Sequence, residues 1–90
     1  MNPAHRPPTH PGEMLLKEFL QPMKLSQVEL ARRMGVPIQR VNTLINGKRG
    51  VTAGTALLLS RELKTTAEFW MNLQCAYDLF EAKQILKRAA

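Results

Sequence analysis

Residues 26–49 read SQVELARRMGVPIQRVNTLINGKR, and their pattern decides the fold. Ser26 followed by Glu29 is a capping box that opens a helix: the hydroxyl accepts the Glu29 N–H and the carboxylate reaches back. Val28, Leu30, Ala31 and Met34 are expected on its buried face, Ala31 being small where two helices must approach. Gly35 stops the helix in a left-handed conformation, Val36 plugs the turn, and Pro37 restarts the chain. The spacing of Val41, Leu44 and Ile45 predicts a second helix from about Pro37 to Asn46. Its outward positions are Ile38, Gln39, Arg40, Asn42, Thr43 and Asn46. A merely solvated helix would carry Glu and Lys there instead of amides and a guanidinium. Gly47 ends this helix, and Lys48-Arg49-Gly50 form a basic loop.

Working outward, Pro11 and Glu13 mark the start of an earlier helix with Met14, Leu15, Leu16 and Phe19 at helical spacing. Pro22 is expected to end it at about Gln21. Thr52 can cap a fourth helix running to about Leu63, with Ala56, Leu57, Leu59 and Leu63 inward or shared between faces. Thr65 and Glu68 form a second capping box before a last helix spanning about 66–88. There Trp70, Leu73, Tyr77 and Phe80 make one stripe, widened by Phe69, Ala76, Leu79, Ile85 and Leu86. So wide an apolar arc exceeds what a domain of this size buries, so part of it is expected to meet a second chain. Phe69, Trp70, Leu73, Tyr77 and Phe80 are the expected dimerisation residues. Residues 1–10, MNPAHRPPTH, are rich in proline and read as a flexible arm, with 11–90 as a single domain. No period-2 strand pattern occurs, so the fold class is all-α with five helices.

The net charge of +6 favours a polyanionic partner, and its placement says more. Between Glu29 and Glu62 there is no acidic residue, while Arg32, Arg33, Arg40, Lys48, Arg49 and Arg61 all fall inside. No apolar run approaches the roughly 20 residues of a membrane-spanning helix. The N-terminal stretch has no apolar core of a signal peptide, so a cytoplasmic protein is expected. The single Cys75 cannot form an intrachain disulfide. His5, His10 and Cys75 lack metal-ligand spacing, no Cys/His or Ser/His pairing suggests a nucleophile, and no glycine-rich phosphate loop occurs. No enzyme activity, metal, cofactor or small-molecule substrate is expected.

Two short helices joined by this turn make a helix-turn-helix, and duplex DNA is its expected partner. The major groove admits one helix. Gln39 can make a bidentate pair with adenine, and Arg40 can do so with guanine or else hold a phosphate. Asn42, Thr43 and Asn46 lie further along the same face, and the methyl groups of Thr43 or Ile38 can meet a thymine methyl. Gln27, in the first turn of the preceding helix, is placed to receive a phosphate. Lys48 and Arg49 would neutralise the DNA backbone without reading sequence. Arg32 and Arg33 are expected to be solvated.

These residues resemble the HigA (VapI-like) family of antitoxins, within the lambda-repressor-like (Cro/C1-type, XRE) helix-turn-helix proteins. The resemblance is carried by His10-Pro11-Gly12-Glu13, Leu25-Ser26-Gln27, Asn46-Gly47-Lys48-Arg49, Thr52-Ala53, Phe69-Trp70-Met71-Asn72-Leu73-Gln74 and Tyr77-Asp78-Leu79. The Trp-x-Asn-Leu-Gln segment is much more specific than the helix-turn-helix itself. The resemblance implies a homodimeric antitoxin that binds a palindromic operator at its own promoter. It also implies pairing with a HigB-like toxin, an mRNA endonuclease of the RelE type. The recognition helix opens Pro37-Ile38-Gln39 where relatives often have Ser or Thr, so no operator sequence carries over. A solitary repressor without a toxin partner is the alternative, and a protein whose main task is toxin neutralisation is a third reading.

Overall fold

The computed structural model describes residues 7–89, and among these it holds five helices and no strand. The arm expected over 1–10 therefore falls largely outside the described residues; its last member, His10, is the cap of the first helix.

Helix α1 comprises Pro11–Met14, a π-helical stretch Leu15–Leu20 and a last turn Gln21–Met23. The His10 ring accepts the Gly12 N–H at 2.9 Å through Nδ1, and Pro11 occupies the first turn, where its missing N–H costs nothing. Pro22 does not end the helix, contrary to the rule applied to it. The turn before it is π-helical, with the Gln21 N–H reaching back to the Leu16 carbonyl. That wider turn gives the pyrrolidine ring room. Lys24, in the left-handed region at φ 55°, makes the stop instead.

Helix α2 (Gln27–Met34) and helix α3 (Ile38–Ile45) end alike. Gly35 (φ 72°) and Gly47 (φ 75°) take the left-handed conformation that lets the chain fold back on its last carbonyls. The Val36 N–H then reaches the Ala31 carbonyl at 3.0 Å, and the Lys48 N–H reaches that of Thr43 at 2.9 Å. Helix α4 (Ala53–Leu63) is capped by Thr52, whose hydroxyl accepts the Thr55 N–H at 3.3 Å. Helix α5 (Ala67–Ala89) is the longest and outreaches the rest, giving a molecule of 45 × 25 × 21 Å.

Leu15, Leu20, Leu30, Ala31, Met34, Val41, Leu44, Val51, Ala56, Leu59, Leu63 and Trp70 form the core, drawn from all five helices and the loop before α4. Val28, expected inside, and Leu57, expected inside or shared between faces, are exposed at 63% and 61%. At about 100° per residue, Val28 lies away from the Leu30–Ala31–Met34 arc, and Leu57 away from the Ala56–Leu59–Leu63 arc. Neither capping box closes as drawn from the sequence. Ser26 Oγ accepts the Glu29 N–H at 3.0 Å, but the Glu29 carboxylate turns to Arg32 and Arg33. The cap of α5 is Thr66, which accepts the Phe69 N–H at 3.0 Å. Thr65 accepts the Trp70 indole N–H at 2.7 Å instead, satisfying the one polar atom of the largest core side chain.

Candidate nucleic-acid interface

Because Val41 and Leu44 are buried, the opposite side of α3 faces solvent. Gln39, Asn42 and Asn46 are exposed on it, Ile38 is 39% exposed, and Arg40 and Thr43 are half-buried. Lys48 and Arg49 are exposed in the loop that follows. Helix α2 stands beside this face, and its first residue is tied to it. The Asn42 amide donates to Gln27 Oε1 at 3.3 Å, and the Asn46 amide donates to Asn42 Oδ1 at 3.2 Å. The polar line Gln27–Asn42–Asn46 thus crosses both helices with its hydrogen-bonding edges at the surface. Thr43 differs: its hydroxyl donates back to the Gln39 carbonyl at 2.7 Å, so its polar atom is engaged within α3.

A shallow hollow of about 270 Å³ opens at the start of α3 between Pro37, Gln39, Arg40, Thr43 and Arg49. The Arg40 Nε beside it is buried with no hydrogen-bond partner. Pro37 occupies the N-cap position of α3 without a side-chain cap, so the first N–H groups of the helix are left to an outside acceptor.

The electrostatics follow from where the carboxylates go. Arg32 and Arg33, the latter at 3.0 Å, both clasp Glu29, and these hydrogen bonds hold its carboxyl at about 2, well below the usual range. Arg61 pairs with Glu62 at 2.7 Å and donates to the Arg33 carbonyl at 3.3 Å, tying α4 to the end of α2. Arg32 and Arg33, expected to be merely solvated, are thus partly neutralised and their charge is not turned to a partner. Among the described residues Arg40, Lys48 and Arg49 have no carboxylate in ion-pair distance, so their charge is available. Of the nine residues expected at DNA, hydrogen bonds join Gln27, Asn42 and Asn46, the hollow brings Gln39, Arg40, Thr43 and Arg49 together, and Ile38 and Lys48 are exposed at the two ends of α3.

Of the five residues expected at a dimer interface, one requires correction. Trp70 is 0% exposed, so it has no surface left for a partner. Phe69 and Leu73 pack on the core, Phe69 and Trp70 both against Phe19 of α1 at ring distances of 6.2 and 5.3 Å. Tyr77 is half-buried edge-on against His10 at 4.8 Å, and Phe80 is also half-buried. Phe69 and Trp70 face inward because Phe19 of α1 occupies that side of α5, while Tyr77 and Phe80 keep part of their surface open. The apolar residues that α5 leaves outward are Met71, Leu79, Ile85 and Leu86.

Sequence reasoning did not find what holds the basic loop. Gln74 of α5 accepts the Val51 N–H at 2.7 Å through Oε1 and donates to Asp78 Oδ1 at 2.9 Å. Its place in the Trp-x-Asn-Leu-Gln segment is a signal, but its partner lies on another element and no local pattern points there.

A family profile for helix-turn-helix proteins matches residues 16–70, from the middle of α1 into the first turn of α5. Virulence-associated protein I of Dichelobacter nodosus is 46% identical over 87% of this chain and 72% of its own length. The antitoxin HigA-1 of Vibrio cholerae is 45% identical over 92% of this chain and 78% of its own. Among solved structures, the Pseudomonas aeruginosa antitoxin HigA with the higBA promoter superposes with a TM-score of 0.87 at 40% identity, covering 91% of this chain and 89% of that one.

Proposed function

The chain belongs to the helix-turn-helix family, in its HigA antitoxin branch, and from that membership we propose that it is an autorepressing antitoxin. It binds a palindromic operator at its own promoter as a homodimer and neutralises an mRNA endonuclease toxin of the RelE type. The observation that carries the DNA half is the surface of α3: readable amides in a line, bordered by Arg40, Lys48 and Arg49 with no carboxylate among them.

Inserted in the major groove, α3 presents Gln39, Asn42 and Asn46 to base edges, while Gln27 and the loop cations hold phosphates. The Gln27–Asn42 hydrogen bond fixes the orientation of both amides before DNA arrives, which lowers the ordering cost on binding. Arg40 reaches either a guanine edge or the backbone beside the hollow at the start of α3. The homodimer forms through the exposed apolar residues of α5, Leu79, Ile85 and Leu86 among them. The protein acts by binding, not by catalysis, in the cytoplasm. Among the described residues no helix is long and apolar enough to cross a membrane.

Competition binding between operator and random duplex tests the reading face. Gln39→Ala is expected to lose about 1–3 kcal/mol of sequence discrimination, whereas Arg49→Ala weakens binding to both duplexes alike. Full operator preference in both Gln39→Ala and Arg40→Ala would contradict this placement. The toxin half is tested by co-expression with the toxin-sized product of the adjacent gene, where relief of translational arrest is the expected outcome. Intact repression with no such relief would leave a solitary repressor.

A further inference from the structure

We infer that Gln74 is a positioning residue for DNA binding: through its side-chain amide, α5 holds the loop that presents Lys48 and Arg49 to phosphates. The inference rests on the helix-turn-helix reading above and deepens it.

The loop is pinned at two points only a few residues apart. At its start, the left-handed Gly47 lets the Lys48 N–H bond the Thr43 carbonyl at 2.9 Å. At its end, the Val51 N–H bonds Gln74 Oε1 at 2.7 Å, and the Val51 side chain is buried in the core. Lys48 and Arg49 lie between the two points, exposed and without carboxylate partners among the described residues. Their backbone is therefore fixed while their charged ends are not. The second pin, Gln74, lies outside the residues assigned to DNA.

The Gln74 amide can take only one orientation. Its Nε2 donates to Asp78 Oδ1 at 2.9 Å, one turn along α5, and a carboxylate accepts but does not donate. That leaves Oε1, the acceptor, toward the Val51 N–H. Gly50 completes the fit: a Cβ there would stand 2.9 Å from both Oε1 and Nε2 of Gln74, closer than van der Waals contact allows. Asp78, Gln74, Gly50 and Val51 thus form a relay from the surface of α5 to the loop. Removing the amide would leave the buried end of the loop with an unpaired N–H and free Lys48 and Arg49 to sample positions away from the phosphates.

The test uses the whole chain and a random-sequence duplex, read by fluorescence anisotropy across a salt series. Gln74→Ala is expected to reduce the log affinity against log salt slope by about one and to weaken binding about five- to tenfold near 0.1 M salt. Operator and random duplexes should weaken equally, and exchange protection of the Val51 amide should be lost. A variant that is only less stable, yet folded at the assay temperature, keeps the parent slope. Gln74→Glu combined with Asp78→Asn reverses donor and acceptor in the 74–78 bond, keeps an acceptor for the Val51 N–H and leaves the net charge unchanged. It is expected to restore slope and affinity to within about twofold of the parent. Parental slope in Gln74→Ala, or no recovery in the combined variant, would overturn the inference while leaving DNA binding intact. A parent protein that bound no duplex would overturn the helix-turn-helix reading and this inference together.

Discussion

Gly12 shows how a short motif in the sequence becomes a packing constraint. A Cβ at this position would stand 1.8 Å from the Leu44 carbonyl oxygen, so the start of α1 rests directly on the C-terminal half of α3. Gly12→Ala must push the two helices apart, and urea unfolding is expected to show a loss of about 1–3 kcal/mol, with weaker DNA binding as α3 shifts. Thr65 is the second such residue. Thr65→Val keeps the side chain's volume but leaves the Trp70 indole N–H unpaired in the core. The expected loss of stability is about 1–3 kcal/mol, and unchanged melting would show that water replaces the hydroxyl. The glycine and the tryptophan stand out in the sequence as parts of motifs. What they touch does not: Leu44 lies on an element distant from Gly12, and Thr65, though only five residues before Trp70, reads from the sequence as a backbone cap rather than as the indole's partner.

At the scale of elements, the helix count, the helix-turn-helix and its polar face were all legible in periodicity and caps, since those signals are local. Three features were not. The π turn that lets α1 run through Pro22 has no signal in the residue pattern, where the proline reads as a stop. The inward turn of Phe69 and Trp70 follows from Phe19, which no pattern within α5 reveals. The side chain of Glu29 had a choice between closing its own cap and clasping two arginines, and the doubly charged partner won. The joint between α1 and α5 yields a pH prediction. Burial lowers the pKa of His10, and it outweighs the opposing charges of Asp78 and Glu13. The neutral ring is also the one that can accept the Gly12 N–H. The unfolded chain therefore takes up the proton first, so the contribution of His10 is complete above about 6.5 and is lost as pH falls from there through the lower folded value. Melting temperature should drop between pH 7.5 and 5, and His10→Ser, which keeps a capping oxygen, should flatten the drop. An equal drop in both proteins would place the titration elsewhere.

On the scale of the molecule, the domain has one end built for DNA and one helix that outreaches it. Helix α5 carries Leu79, Ile85 and Leu86 exposed at 53%, 63% and 70%, more apolar surface than an isolated helix end normally leaves in water. Leu79→Lys together with Leu86→Lys is expected to halve the sedimentation mass from that of a dimer of 10.2 kDa chains and to weaken operator binding steeply. A folded variant of unchanged mass would move the interface off α5. Two copies related by a twofold axis would set their α3 helices about 34 Å apart, or a multiple of it, matching successive major grooves on one side of the duplex. The measurement that bears most directly on all of this is footprinting of the purified protein on the DNA upstream of its own gene. The predicted result is two protected half-sites at that spacing, lost when Gln39 and Arg40 are both replaced by alanine. No protection, or protection that survives the double replacement unchanged, would contradict it.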